Sequence, residues 1–392
     1  MERKKDIQQV NQKKTKTKNK KILFLSPLPP PYYGSAMSSE MCLDILKKSK
    51  EFEIKNIKLN YSKDMSDVGK INLNKIKGIS EVKKEIKKQL KEFGPEMIYF
   101  VPATSGLGLI RDFYFIREIK KLLGKGKILF HIRSRTINTL FNKFIYKNMF
   151  QGEKAIVLSE RLIKDVSGYI QKKDISILPN AIKNEITENE FNKILKNKEK
   201  KNKEKADNKI EILFLSNMDK TKGWPRLLEA CKILNEKNIG FKCNFLGDWN
   251  NKKDKKYFYE FIEKNNLKEK VKEYGKKTGK EKNSFLEKAD ILVFPTEYKL
   301  ETFGRVIIEG MMFGLPVIAN GIASIPDIIK HNKTGYILEK NTPKEIAGYI
   351  EKLYKNPELR VNMGKQGRRR FLEEFELNKY KEGFLERFEL NK

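Results

Sequence analysis

Two short runs constrain this chain most: KILFLS at residues 21–26 and EILFLS at 211–216. Each is apolar, short and followed by a turn-forming loop and then a helical pattern. That is the opening unit of a parallel α/β sheet. After the first run comes the loop Pro27 to Ser35, and then a helix expected over about 38–48. Further apolar strands are expected at 97–101, 127–131, 155–159 and 175–178, with helices near 80–92 and over 110–123. After the second run, strands are expected at 241–246, 271–274, 290–295 and 315–319. Helices are expected over 224–236, 254–265, 283–288, 343–355 and 357–390. The alternation starts twice, so the expected fold is α/β with two tandem Rossmann-like domains. The first spans 21–185 and the second 209–370. Residues 1–20 are polar and basic without periodicity, and are expected to form a disordered tail. The run from 192 to 209 offers no apolar face, so 186–208 is expected to be a charged, solvated linker. Residues 371–392 are expected to form a terminal helix.

The length of 392 residues suits two domains. No apolar run approaches the roughly 20 residues of a membrane-spanning helix, and the Lys- and Gln-rich start lacks a secretion signal. A cytoplasmic protein is expected, peripheral on the inner face of the plasma membrane if it meets lipid. Cys42, Cys231 and Cys243 stand in apolar contexts without ligand spacing, as core residues of a reducing compartment do. The net charge is +32, and 13 of the 83 basic residues are arginine. Lysine on every solvated face is one reading of this; attraction to an anionic membrane surface is the other. Nucleic acid is not expected as a partner, because no recognised motif is present and arginine is scarce.

Residues 301–309, ETFGRVIIE, carry the chemistry. Glu301 and Glu309 lie eight positions apart across a strand-to-helix junction. In an open α/β sheet ligands bind there, and free amides at the helix start attract phosphate. One acid can meet a sugar hydroxyl and the other a ribose, as a sugar nucleotide requires. Gly304 allows close backbone approach, with Thr302 and Phe303 beside it. Arg305 opposes the helix dipole in the first turn, a penalty that a bound phosphate reverses. Lys222, before Gly223, is a point charge able to neutralise a departing diphosphate.

These elements in order resemble the retaining GT-B glycosyltransferases often called family 4, the group 1 glycosyl transferases. The resemblance rests on Ala289 to Pro295, on Glu301-Thr302-Phe303-Gly304 with Glu309, on Gly314-Leu-Pro-Val317 and on Thr334-Gly335-Tyr-Ile-Leu338. Pro179-Asn180-Ala181-Ile182 and the first loop match less tightly. The resemblance implies a GT-B fold with an interdomain cleft, closed by a terminal helix returning to the first domain. It implies a catalytic set of Glu301, His131 and Lys222, with no residue an evident nucleophile. Donor contacts are implied at Gly34 and Ser35 for the diphosphate, at Gly275 and Lys276 for the base, and at Thr302 to Arg305. Glu309 is implied for the ribose.

Three positions depart from the family pattern. Asn217 stands where an arginine usually follows the strand, Ser35 where a second glycine stands, and Ala323-Ser324 where two glycines stand. Arg305 is placed to supply the cation missing at Asn217. His331, in a loop, is expected to be solvated. No Asp-x-Asp pair lies in a suitable loop, so no metal and no cofactor are expected. The substrates implied are a nucleotide-sugar donor and a sugar or lipid-linked acceptor. The function implied is hexosyl transfer with retention, in polysaccharide or glycolipid synthesis. Two alternatives stay open: a basic membrane- or nucleic-acid-binding protein on a Rossmann scaffold, and a sugar-nucleotide epimerase.

Overall fold

The computed structural model describes residues 19–31, 34–59, 73–137, 139–204 and 209–389. The tail over 1–18, the end of the charged run at 205–208, and residues 390–392 of the terminal helix lie outside the described residues.

The first sheet is built from β1 (Lys20–Ser26), α1 (Gly34–Ser49), β2 (Phe52–Lys58), α2 (Leu73–Glu92), β3 (Met97–Phe100), α3 (Gly106–Leu123), β4 (Ile128–Ile132), α4 (Leu140–Phe150), β5 (Lys154–Val157) and β6 (Ile175–Ile177). Its strand order is β2-β1-β3-β4-β5-β6. The central strands β1, β3 and β4 are buried in their middles and apolar there except for His131 of β4, because helices flank a parallel sheet on both faces.

The second half opens with α5 (Glu188–Glu204). There follow β7 (Ile210–Leu215), α6 (Trp224–Glu236), β8 (Phe241–Leu246), α7 (Lys252–Lys264), β9 (Val271–Glu273) and α8 (Gly279–Lys288). Then come β10 (Ile291–Phe294), α9 (Arg305–Met312), β11 (Val317–Asn320), α10 (Ile325–Ile328), β12 (Gly335–Leu338), α11 (Pro343–Lys355), α12 (Pro357–Arg370) and α13 (Leu377–Glu389). The strand order β12-β11-β10-β7-β8-β9 is the doubly wound dinucleotide-binding order, with its reversal between β7 and β10. The core on one side of this sheet gathers Ile212, Phe214, Phe241, Phe245 and Val293 against Trp224, Leu227 and Leu228 of α6 and Phe258 of α7. Burying each such side chain contributes about 1.5–3 kcal/mol.

By packing, the chain forms two compact units. The first holds the described residues up to Pro102 with Gly106–His131 and Asn148–Lys154; the second holds Ala103–Ser105, Ile132–Lys147 and the described residues from Ala155 onward. Strands β5 and β6 pair within the first sheet but pack with the second unit.

Three expectations are corrected. Residues 188–204 are not a solvated linker but helix α5. Phe191, Ile194 and Leu195 are buried at helical spacing ahead of the lysine run, and so narrow a stripe is enough to dock a helix. Residues 357–390 are not one helix. A π-turn over Phe371–Phe375 and an extended Glu376 separate α12 from α13. Helix α1 starts at Gly34, so Gly34 and Ser35 form its first turn rather than the end of a loop. The edge strand β2 and helix α4 carried no clear pattern in the sequence.

Candidate active site

All four loops after β7, β8, β9 and β10 leave the same edge of the second sheet, because its described pairings are parallel. The two that matter most follow β7 and β10, the strands at the order reversal.

After β7 the chain passes Ser216, exposed Asn217 and Met218 into a 3-10 turn over Lys220–Lys222. Asp219 caps that turn, accepting from the Thr221 amide at 2.8 Å and hydroxyl at 2.6 Å; Asn250 donates to its other oxygen at 2.9 Å. Those hydrogen bonds hold the Asp219 carboxyl below its usual range, with the Thr221 hydroxyl the largest contributor. Gly223 ends the turn at φ 88°, where an added Cβ would lie 2.1 Å from the Pro295 carbonyl oxygen. Only glycine lets the two loops approach so closely. The Glu297 amide then donates to the Thr221 carbonyl at 2.7 Å and joins them.

The result is a direct meeting of two predicted residues. Lys222 Nζ lies 2.9 Å from Glu301 Oε2, and both side chains are largely shielded from solvent. The other carboxylate oxygen accepts from the Thr302 amide at 3.2 Å and the Gly304 amide at 3.1 Å. Glu301 is therefore oriented by its own loop and charge-paired across the switch point. Lys222 Nζ also sits 4.2 Å from the ring centre of Tyr298, a cation–π contact that holds it in place.

Gly304, at φ 75°, starts α9, and Phe303 beside it is buried. Arg305 is half-buried in the first helical turn. Burial lowers its pKa, Glu309 one turn on raises it, and Arg133 lowers it again. Glu309 pairs with Lys282 of α8 at 2.5 Å. The Ser324 amide donates to the Thr302 carbonyl at 3.1 Å. Ala323, where the family pattern has glycine, takes φ 48°, so the turn is kept at the cost of strain.

The remaining candidates lie on other elements. Gly275 lies after β9 at φ 66°, and its carbonyl accepts from the Gly247 amide at 3.0 Å. Lys276 Nζ is 3.9 Å from Asp248. His131 is fully buried in β4 of the first unit, where its Nδ1 shares a 2.7 Å hydrogen bond with the Tyr99 hydroxyl. Gly34 is exposed and Ser35 half-buried at the start of α1. The His331 ring packs against Tyr336 and Tyr349, and its Nδ1 accepts from the Ile337 amide at 3.1 Å. Sequence reasoning missed Tyr298 and Lys282; neither has a local signal, since each is defined by what it touches. Among the described residues, no group of three or more His, Cys, Asp or Glu side chains is arranged to hold a metal ion. A cavity of about 790 Å³ lies elsewhere, between Glu199 of α5 and residues 355–365.

Known proteins resemble this chain in sequence and in fold. Residues 196–370 match the family model described as glycosyl transferases group 1. An uncharacterized glycosyltransferase of Methanocaldococcus jannaschii is 32% identical over 231 residues, covering 59% of this chain and 58% of that protein. The capsular polysaccharide biosynthesis glycosyltransferase CapM of Staphylococcus aureus is 28% identical over 231 residues, covering 58% and 59%. The chain thus spans about half to three fifths of the length of the curated relatives it matches. The Anabaena protein HepE, solved in complex with UDP, aligns over 94% of this chain and 99% of its own, with a TM-score of 0.68 at 14% identity. At that identity the likeness shows the fold, GT-B. With the second sheet's order and the paired Lys222 and Glu301 in view, residues 196–370 of this chain are similar to the group 1 glycosyl transferases.

Proposed function

We propose that this protein transfers a hexose from a nucleotide-diphosphate sugar to an acceptor hydroxyl, with retention, in the synthesis of a cell-surface polysaccharide or glycolipid. The observation that carries the reading is the Lys222–Glu301 pair at the switch point, 2.9 Å apart and aimed across two loops that Gly223 holds together. The naming of CapM supports the polysaccharide context, and the UDP held by HepE supports a nucleotide donor.

In this reading the diphosphate lies against the first-turn amides of α9, where the helix dipole favours negative charge. Lys222 leaves Glu301 to meet the departing phosphate, and Arg305 supplies a second cation. Glu301 then accepts from hydroxyls of the transferred sugar. Glu309 accepts from the ribose, and Gly275 and Lys276 border the base. Gly34, Ser35, His131 and Asn217 complete the proposed donor contacts. The bond from the anomeric carbon to the phosphate oxygen breaks, the bond to the acceptor oxygen forms on the same face, and the phosphate takes the acceptor's proton. Fixed cations stabilise the leaving diphosphate, so no metal or cofactor takes part.

Release of nucleotide from a panel of UDP- and GDP-sugars, with lipid-linked acceptors added, tests this. Glu301→Ala and Lys222→Ala are each expected to lower kcat about 100-fold or more. Arg305→Ala is expected to raise donor KM more than it lowers kcat, and a chelator to leave the rate unchanged. Wild-type rates in both the Glu301 and Lys222 variants would end the assignment. Products formed without acceptor would favour an epimerase.

A further inference from the structure

Helix α4 is turned the wrong way for a water-facing helix. Its inner face buries Ile145, Tyr146, Met149 and Phe150. Its outer face is also apolar: Leu140 is 87% exposed, Phe141 59% and Phe144 62%, with Ile137 just ahead at 41%. At 3.6 residues per turn, Leu140, Phe141 and Phe144 fall within roughly 100° of arc. Lys143 and Lys147 form the adjoining stripe and are exposed. From Arg133 to Gly152 the chain carries four basic residues, Arg133, Arg135, Lys143 and Lys147, and no acidic one. Single exposed apolar side chains are ordinary, but four within eight positions make a patch.

The platform under this patch is fixed. The Thr139 hydroxyl accepts from the Asn142 amide at 3.2 Å, and the Asn142 side chain donates to the Ile137 carbonyl at 2.8 Å. The Tyr146 hydroxyl accepts from the Ile137 amide at 3.1 Å and donates to the Thr104 carbonyl. Upstream, the Thr136 hydroxyl donates to the Asp165 carbonyl at 2.9 Å and Arg135 bonds the Asp165 carboxylate at 3.3 Å. A segment tied down at so many points holds its apolar side chains outward rather than folding them in.

We infer that the outer face of α4 docks on an anionic membrane surface. Leu140, Phe141 and Phe144 enter the headgroup layer, and Lys143 and Lys147 meet anionic headgroups, as on interfacial amphipathic helices. Charge selects this occupant. A second copy would bring Lys143 and Lys147 against the same two lysines, and they would repel. A nucleic acid would leave the aliphatic Leu140 and Ile137 without an apolar partner. The inference is independent of the transferase reading, because it needs neither donor nor turnover.

Cosedimentation of the full chain with vesicles tests it, using phosphatidylcholine alone or mixed with phosphatidylglycerol. Binding is expected to the mixed vesicles and to weaken with salt. Leu140→Ser, Phe141→Ser and Phe144→Ser together are expected to lower it about tenfold or more, with an unchanged unfolding midpoint. Lys143→Glu with Lys147→Glu is expected to lower it by a similar factor. Should the triple variant misfold, the Leu140→Ser/Phe141→Ser pair reads the same loss. Phe141→Trp adds a direct measure: its fluorescence is expected to be quenched by brominated acyl chains. Equal binding by wild type and variants, equal binding to uncharged vesicles, or no quenching overturns the inference. So does self-association without lipid that the triple variant abolishes.

Discussion

At the residue scale, the acidic pair stood out in the sequence because its spacing straddles a strand-to-helix junction, not because of the spacing alone. Glu301 and Glu309 bracket a junction whose flanking strand and helix are written locally. Which side chain each acid pairs with was not legible. Lys222 is 79 positions from Glu301, and Lys282 pairs with Glu309 from another helix. Lys222 is marked in the sequence by the Gly223 that follows it, but nothing local points it at Glu301, and in a chain this rich in lysine no residue-level pattern singles out Lys282. Lys198 of α5 makes the same point. Its stem is partly exposed, yet its Nζ is buried near Asp290, Arg360, Lys201 and Glu287. Burial pulls its pKa down from 10.5 to about 8; Asp290 and Glu287 oppose this, Arg360 and Lys201 reinforce it. Between those values the unfolded chain binds more protons than the folded one, so this group makes stability rise with pH. The cost is fully present below pH 8 and gone above the unfolded value. Lys198→Met is therefore expected to stabilise the protein at pH 7 by up to about 3 kcal/mol. Unfolding midpoints measured across pH should show that gain fading toward high pH. A variant less stable at pH 7 would mean that attraction to Asp290 outweighs burial.

At the element scale, the buried parallel strands other than β12 were legible to within a residue or two, because an apolar run between turn residues has few other uses. The elements that escaped are those whose apolar face is thin. β2 is an edge strand with most of its side chains at least partly exposed, and α5 hides three apolar residues ahead of a polar run. α4 is apolar on both faces, which blurs the helical period. The loop contact at Gly223 belongs to this scale too. Gly223→Ala combines a positive φ with a Cβ 2.1 Å from the Pro295 oxygen. It is expected to cost more than about 2 kcal/mol, read as a lowered unfolding midpoint, and to separate Lys222 from Glu301. An unchanged midpoint would show that the two loops can part without penalty.

At the scale of the whole molecule, the last helix is tied to the exit of β6. The Ile182 amide donates to the Phe375 carbonyl and the Leu377 amide to the Ile182 carbonyl, each at 3.1 Å. The Arg387 guanidinium donates to the Ile177 carbonyl at 2.6 Å. Phe371, Phe375, Tyr380, Phe384 and Phe388 are all buried. Ending the chain at Arg370 would strip cover from this region and is expected to yield protein that aggregates or melts without a cooperative transition. A truncated chain with the full-length midpoint would show that α13 is dispensable. Among the described residues no helix is long and apolar enough to cross a membrane, so the lipid contact inferred for α4 is a surface one.

The sequence by itself determined the two doubly wound halves and the junction that carries the acids, because strand runs, turn residues and motif spacing are local and repeat at short range. Tertiary structure alone decided which lysine faces which acid, where the polar run at 188–204 hides its stripe, and which apolar face of α4 stays exposed. Those outcomes depend on what packs against a residue from a distant part of the chain, and nothing in a residue's immediate neighbours encodes that.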